Sequence, residues 1–118
     1  MARVVHFEIT ADDPQRASAF YREVFDWEIK SWGDFPYWLA TTGPEGAPGI
    51  NGALMPRRFD QRVIHTIQVD DLDAAIAAIA AAGGELVFGP QPIPGIGTHA
   101  YCTDTEGNTL GVLQDEPR

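Results

Sequence analysis

The chain has 118 residues, of which 44% are hydrophobic, so its length suits one domain with a core of its own. Its net charge of −9 argues against nucleic acid and anionic membrane surfaces as partners. Its single cysteine, Cys102, excludes a disulfide within the chain and a zinc site built of cysteines.

The first half of the sequence predicts a strand, a helix and three further strands. The first strand, 3–10, begins so early that it leaves no room for a signal peptide, so we expect a cytoplasmic protein. Asp13-Pro14 marks the start of a helix over 14–25, because the Asp side chain accepts unpaired N–H groups and proline has none. Four apolar residues at helical spacing predict the buried face of this helix: Ala17, Phe20, Tyr21 and Val24. The three strands that follow are predicted near 27–31, 36–42 and 50–55.

The second half repeats this order. Asp71-Leu72 takes the place of Asp13-Pro14 at an offset of 58 residues. A strand over 63–69 precedes a helix over 72–82, which Gly83-Gly84 ends. Further strands are predicted near 85–88, 98–103 and 109–114. The segment "GPQPIPGIG", 89–97, predicts a proline- and glycine-rich loop.

Each half therefore has the pattern βαβββ, and neither half buries both faces of its sheet alone. We expect an α+β fold in which two tandem βαβββ modules form a cupped, half-open mixed barrel with the helices outside. Module 1 covers about 1–56, a linker about 57–62, and module 2 about 63–118, within a single domain over 1–118.

Three segments resemble a known superfamily: "VVHFEITADDPQRASAFYREVFDWEI", "VDDLDAAIAAIAAAGG" and "DTEGNTLGVLQ". They are similar to the vicinal oxygen chelate proteins, which include glyoxalase I, bleomycin-resistance proteins and extradiol dioxygenases, and most of all to small glyoxalase-like proteins. Two residues depart from the family pattern, Asp26 in place of a glycine and Thr105 in place of a proline. The resemblance implies the fold more strongly than the activity, because this fold serves isomerases, lyases, dioxygenases and binding proteins.

The resemblance also implies where a metal would be bound. Metal-dependent members present one His or Glu from each of four strands, and a divalent ion held there polarises substrate oxygens. The matching positions in this sequence are His6, Ala53, Ile64 and Gly111. One ligand in four does not make a metal site. We therefore expect no cofactor, and we disfavour a divalent metal without excluding a non-standard ligand set.

His65 lies in "VIHTIQVDD", a segment that resembles "VVHFEITADD" around His6. The offset of 58 nevertheless pairs His65 with Phe7, whose side chain alternates onto the helix-packed face. A β-bulge that shifts the strand by one residue would instead bring His65 into the cup.

The predicted cup has a polar floor with apolar walls, which is typical of small-molecule sites. His6 and Glu8 share a strand face, and a carboxylate near an imidazole can raise its pKa and orient it as an acid–base group. They are the candidate catalytic residues, although a structural polar pair would have the same pattern. The candidate ligand-binding residues are Asn51, Met55, Thr66, Gln68, Trp38, Tyr101 and Thr109. His99 and Tyr101 share a face, but the sequence does not fix which one.

Three functions fit these observations. The first is a glyoxalase/bleomycin-resistance-like protein with a degenerate metal site that binds a small organic molecule. The second is a lyase, isomerase or dioxygenase acting through His6 and Glu8 or a non-standard metal site. The third is an interaction module without a ligand. We also expect a homodimer, because the edges of such a sheet favour pairing.

Overall fold

The computed structural model describes residues 2–116, and its ten elements follow the predicted order. The elements are β1 (Arg3–Ala11), α1 (Pro14–Phe25), β2 (Glu28–Ser31), β3 (Trp38–Thr41), β4 (Gly52–Pro56), β5 (Val63–Gln68), α2 (Leu72–Ala81), β6 (Glu85–Ile93), β7 (Gly97–Thr103) and β8 (Thr109–Asp115). The α+β fold class and the two βαβββ modules are confirmed.

Both helices begin at the predicted residues because both N-caps are formed by aspartates. Asp13 Oδ1 accepts a hydrogen bond from the Arg16 N–H at 3.1 Å, and Asp71 Oδ1 accepts one from the Ala74 N–H at 3.1 Å. Helix α1 ends at Asp26, whose φ of 59° lies in the left-handed region that a glycine adopts more easily. Over residues 2–116, neither helix is long and apolar enough to cross a membrane.

The described chain divides into two compact units. The N-terminal unit comprises residues 6–64, and the C-terminal unit comprises residues 65–116 together with 2–5. Strands follow the order β2-β3-β4-β1 in the first and β5-β8-β7-β6 in the second. In each, the first and last strands of the module pair in parallel, and the pairs Glu8↔Ala53 and Thr66↔Gly111 are related by the predicted offset.

In the N-terminal unit, α1 packs on one face of the sheet around Ile29, Ala40 and Leu54. Ala17 and Tyr21 contact this cluster as predicted. The prediction for the other two apolar helix residues is wrong, because Phe20 and Val24 are 54% and 55% exposed. The fully covered helix position is Ser18, whose small side chain allows close packing and whose hydroxyl donates to the Pro14 carbonyl at 2.7 Å.

In the C-terminal unit, α2 packs on the face formed by alternate residues of β7 and β8. The buried cluster consists of Leu72, Ala100, Cys102 and Val112, with Ile76 and Ile79 of the helix against it. Because side chains alternate along a strand, the residues between these positions lie on the opposite face of the same strands.

The predicted loop over 89–97 is largely wrong. Strand β6 continues to Ile93, and the turn before Gly97 is correspondingly short. The strand accommodates Pro90 and Pro92 because it stands at the end of the strand order, where a missing N–H removes no ladder bond on the outer side. The pairing with β7 shifts register on either side of Phe88.

Candidate functional site

A buried polar face lies opposite α1 in the N-terminal unit. Glu8 pairs with Ala53, and Thr10 pairs with Met55, so these four residues share the sheet face that the helix does not cover. Leu39 of β3 also pairs with Ala53 and adds an apolar wall. Glu8, Ala53 and Met55 are all buried. Met55 is therefore placed on the face for which it was predicted.

Tyr37 connects His6 to Glu8. Its hydroxyl lies 2.8 Å from His6 Nε2 and donates to Glu8 Oε2 at 2.6 Å. The imidazole and the phenol ring are nearly parallel, with centroids 6.4 Å apart. His6 and Glu8, the two residues predicted as catalytic, are thus brought into one network through a third side chain.

The direction of these hydrogen bonds fixes the tautomer of His6. Because the Tyr37 hydroxyl donates its proton to Glu8, it accepts from His6, so Nε2 of His6 carries hydrogen and Nδ1 carries the lone pair. Burial lowers the pKa of His6 below 6.5, and the charge of Glu8 opposes this only in part. The desolvation of the imidazolium therefore outweighs the nearby carboxylate, which by itself would raise the pKa of His6.

A second polar face lies opposite α2 in the C-terminal unit. Thr66 and Tyr101 both pair with Gly111, and both are buried. His99 lies two residues before Tyr101 on the same strand face, and the two rings meet edge to face with centroids 4.5 Å apart. The structure thus decides the facing of His99 and Tyr101 that the sequence left open. Thr109 also lies on this face, next to Gly111 along β8.

Three predicted ligand-binding residues are not available on these two faces, because each packs against or hydrogen-bonds to another part of the chain. Trp38 packs beside Leu54 on the side of α1. Asn51 is exposed and its Oδ1 accepts from the Thr42 N–H at 2.9 Å, so it fixes a loop. The Gln68 side chain donates to Asp115 at the strand ends.

His65 is exposed on β5, whereas its neighbours Ile64 and Thr66 are buried. The β5–β8 register aligns Ile67 with Val112 of the core cluster, so His65 and Ile67 share the side of α2. This is the parity that the offset of 58 predicts. Thr66, Ile67 and Gln68 pair with residues 111–113 in continuous register, so no β-bulge in this stretch turns His65 to the opposite face.

Sequence reasoning did not predict Tyr37 as the link between His6 and Glu8. Its place depends on the tight turn before β3, where the Trp32 N–H donates to the Tyr37 carbonyl at 2.9 Å. A partial signal was present, since residues 37 and 39 share parity and the β3–β4 hairpin aligns Leu39 with Ala53. That signal required the register of the hairpin, which an irregular connection over 42–51 does not specify.

The family model for the Glyoxalase/Bleomycin resistance protein/Dioxygenase superfamily matches residues 3–112. The chain belongs to this superfamily. CFP32 of Mycobacterium tuberculosis, named as a glyoxylase candidate, is 31% identical over 116 residues, which cover 94% of this chain. CFP32 of Mycobacterium bovis matches equally. The match spans only 43% of these relatives, so their whole-protein activities do not transfer directly.

Solved structures show the same fold. Methylmalonyl-CoA epimerase from Mycobacterium tuberculosis matches with a TM-score of 0.64 and 16% identity, covering 97% of this chain and 88% of that one. The Streptomyces coelicolor epimerase in complex with 2-nitronate-propionyl-CoA gives a TM-score of 0.65 at 17% identity, covering 98% of both chains. At these identities the likeness establishes the fold of the superfamily and leaves the substrate open.

The residues at the four metal-ligand positions do not suit a divalent ion. His6 offers one imidazole, which is hydrogen-bonded to Tyr37. Ala53 and Ile64 are fully buried apolar residues, and Gly111 has no side chain to coordinate with. Over residues 2–116, no group of three or more His, Cys, Asp or Glu side chains is placed to hold a metal ion. No step proposed below passes through a metal.

Proposed function

We propose that this superfamily member binds a small organic molecule on the polar face of its N-terminal unit, without a metal at the four family positions. The observation that carries this proposal is the His6–Tyr37–Glu8 network, a connected set of polar atoms flanked by Leu39, Ala53 and Met55. A few convergent polar groups among apolar walls orient a ligand, while the walls supply buried area. The bleomycin-resistance members give the binding role a precedent within the family.

Binding is tested by thermal unfolding in the presence of bleomycin and of methylmalonyl-CoA, two compounds that appear in the names of family members or neighbours. We expect one class of compound to raise the melting temperature saturably, and Tyr37→Phe to reduce that shift. Tyr21→Phe is the matched control, because its ring stacks on Trp27 at 4.8 Å outside the network. Equal shifts in wild type and Tyr37→Phe would contradict the proposal.

The metal-free part of the proposal needs a separate measurement. Purified protein is analysed for metals and then titrated calorimetrically with Ni²⁺ and Zn²⁺. We expect no tight, stoichiometric binding, because three of the four positions supply no donor atom. A site with one ion per chain that is lost in His6→Gln would overturn it.

A second candidate function is proton transfer, as in an isomerase or lyase. The specific observation in its favour is the 2.8 Å contact between His6 Nε2 and the Tyr37 hydroxyl, since it leaves Nδ1 of the neutral imidazole that burial favours able to accept a proton. Proton uptake would form an imidazolium, and the Glu8 carboxylate would stabilise its charge through the Tyr37 hydroxyl. His6 would thus act as the general base, and Tyr37 and Glu8 would orient it and stabilise its protonated form.

Deuterium exchange distinguishes this enzyme from a binding protein. Methylmalonyl-CoA is incubated in D₂O with chelator-treated protein, and loss of the proton at its second carbon is followed by NMR against a buffer blank. We expect acceleration that His6→Gln abolishes. A rate equal to the blank would leave binding as the only function on this face, and a rate unaffected by His6→Gln would remove His6 as the base.

We also propose that the protein is a cytoplasmic homodimer. Strand β6, at one end of the strand order, exposes Leu86, Val87 and Phe88, and exposed apolar edge strands favour pairing with another chain. Sedimentation velocity should give a mass near twice that of one chain. Replacing Val87 with Lys should shift the mass toward one chain, whereas a monomeric wild type would contradict the proposal.

A further inference from the structure

The Thr66 hydroxyl is buried without a hydrogen-bond partner. The residue is 1% exposed, and no described residue is bonded to its Oγ1. Thr10 on β1 shows the ordinary situation: it is 3% exposed, and its hydroxyl reaches the carbonyl oxygens of Gln61 at 3.0 Å and Arg62 at 2.9 Å. Buried polar groups are nearly always paired, so an orphaned hydroxyl calls for a physical reason.

The two units place corresponding residues around this hydroxyl. Thr66 pairs with Gly111 as Glu8 pairs with Ala53, and Tyr101 pairs with Gly111 as Leu39 pairs with Ala53. His99 lies two residues before Tyr101 in the C-terminal unit, and Tyr37 lies two residues before Leu39 in the N-terminal unit, each on the same face as the residue it precedes. In the N-terminal unit this position satisfies its polar neighbour, since Tyr37 donates to Glu8 at 2.6 Å. In the C-terminal unit Thr66 Oγ1 has no such bond.

Gly111 keeps the space between these atoms open. A Cβ on Gly111 would lie 2.7 Å from Thr66 Oγ1 and 2.8 Å from His99 Nε2, so any side chain would cover both polar atoms. The backbone does not require glycine here, because Gly111 is absent from the residues with positive φ. The bare Cα therefore leaves two hydrogen-bonding atoms directed at one region of the sheet face.

We propose that Thr66 Oγ1 and His99 Nε2 bind a carbonyl or carboxylate oxygen of a small organic ligand above the Cα of Gly111. A hydroxyl donates to such an oxygen, and an imidazole Nε2–H donates a second bond. Both donor atoms lie within 2.8 Å of the position that a Cβ on Gly111 would take, so they converge on one region in front of this glycine. This inference extends the proposed small-molecule function, but it rests on atoms separate from His6, Tyr37 and Glu8.

The binding test uses acetamide and acetate, which have the same shape but differ in charge. Wild-type protein labelled with ¹⁵N is titrated with each probe, and the Gly111 amide and the His99 ring are followed by NMR. We expect saturable shifts at both residues from at least one probe, with the neutral probe reporting a carbonyl site and the charged probe a carboxylate site. The absence of saturable shifts from both probes would overturn the proposal.

Variants assign the binding to these atoms. Thr66→Val should lower the affinity for the probe about tenfold, which corresponds to the loss of one hydrogen bond of about 1.4 kcal/mol. Gly111→Ala should abolish binding by filling the space. Tyr21→Phe, whose ring stacks on Trp27 away from both polar faces, should leave probe affinity unchanged. Because the probes are followed at Gly111 and His99, failure of the proposed function on the other face would not be mistaken for failure here. Unchanged affinity in Thr66→Val would overturn the assignment.

A matched pair of threonines tests whether the Thr66 hydroxyl is kept for a ligand or for structure. Thr66→Val should raise the urea midpoint of the ligand-free protein by about 0.5–1 M, because it removes an unsatisfied buried hydroxyl of nearly equal volume. Thr10→Val should lower the midpoint, because it breaks the bonds to Gln61 and Arg62. If both variants destabilise equally, the Thr66 hydroxyl has a structural partner and the proposal fails.

Discussion

Replacing Tyr37 with Phe removes one oxygen atom from the centre of the His6–Glu8 network and keeps the aromatic ring. Two hydrogen bonds are lost, one of 2.6 Å to the Glu8 carboxylate and one of 2.8 Å to the His6 imidazole. A bond to a charged group contributes about 1.5–3 kcal/mol and a neutral one about 0.5–1.5 kcal/mol. Glu8 is only 3% exposed, so water does not readily replace the lost donor. We expect the free energy of unfolding to fall by about 2–4 kcal/mol.

Urea unfolding followed by tryptophan fluorescence measures this loss. With a slope of about 1–2 kcal/mol per molar urea for a chain of this size, the midpoint should fall by about 1–4 M at unchanged slope. Tyr21→Phe removes the same atom from a ring that is stacked on Trp27, so it should cost less than about 0.5 kcal/mol. If Tyr37→Phe costs no more than Tyr21→Phe, the network does not hold Glu8 as described.

Burial lowers the pKa of His6 in the folded state, so the unfolded chain binds a proton at this residue first as the pH falls. The free energy of unfolding of the wild type should therefore decrease below pH 6.5 by up to about 1.4 kcal/mol per pH unit. In urea titrations at pH 7.5 and 5.5, His6→Gln should lack this pH-dependent decrease. A difference that survives in His6→Gln would assign the effect to other groups. Cys102 is fully buried, and desolvation raises the pKa of its thiol. The thiol should therefore react with a disulfide reagent only after unfolding. A rapid reaction of the native protein at pH 8 would contradict the buried position of Cys102. Asp26→Gly should stabilise the chain by about 0.5–1 kcal/mol, because Asp26 ends α1 at a φ of 59°, and an unchanged or lower melting temperature would argue against strain at this position.

The fold was predictable because its signals are local. Asp13 and Asp71 each cap the helix that follows them, and their spacing revealed the repeat before any pairing was known. The repeat also relates the two parallel pairings, since the observed pairs Glu8↔Ala53 and Thr66↔Gly111 differ by the same offset of 58 residues. Parity along β1 and β5 placed Glu8 and Thr66 on the faces away from the helices for the same reason.

The errors arose where local pattern and tertiary structure disagree. Phe20 and Val24 have helical spacing, but Ser18 fits closer to the sheet and takes the buried position. Pro90 and Pro92 indicate a loop in any single-sequence reading, yet the outer edge of β6 tolerates them. Trp38 was predicted to bind a ligand, but it packs on the side of α1. Its neighbour Tyr37, which follows the turn closed by the Trp32 N–H, lies on the opposite face beside Glu8.

The two faces differ in whether their polar side chains are hydrogen-bonded to one another. At the corresponding positions 53 and 111, where the family resemblance predicts a metal ligand, this chain carries Ala53 and Gly111. In the N-terminal unit the neighbouring polar groups bond to one another, because Tyr37 reaches Glu8 and His6. In the C-terminal unit Thr66 lacks a partner although His99 occupies the place of Tyr37. A face whose polar groups are mutually satisfied is suited to hold a proton relay in a fixed geometry. A face that leaves a buried donor unsatisfied gains free energy when a ligand oxygen pairs with that donor, so Thr66→Val should weaken ligand binding on the face of the C-terminal unit.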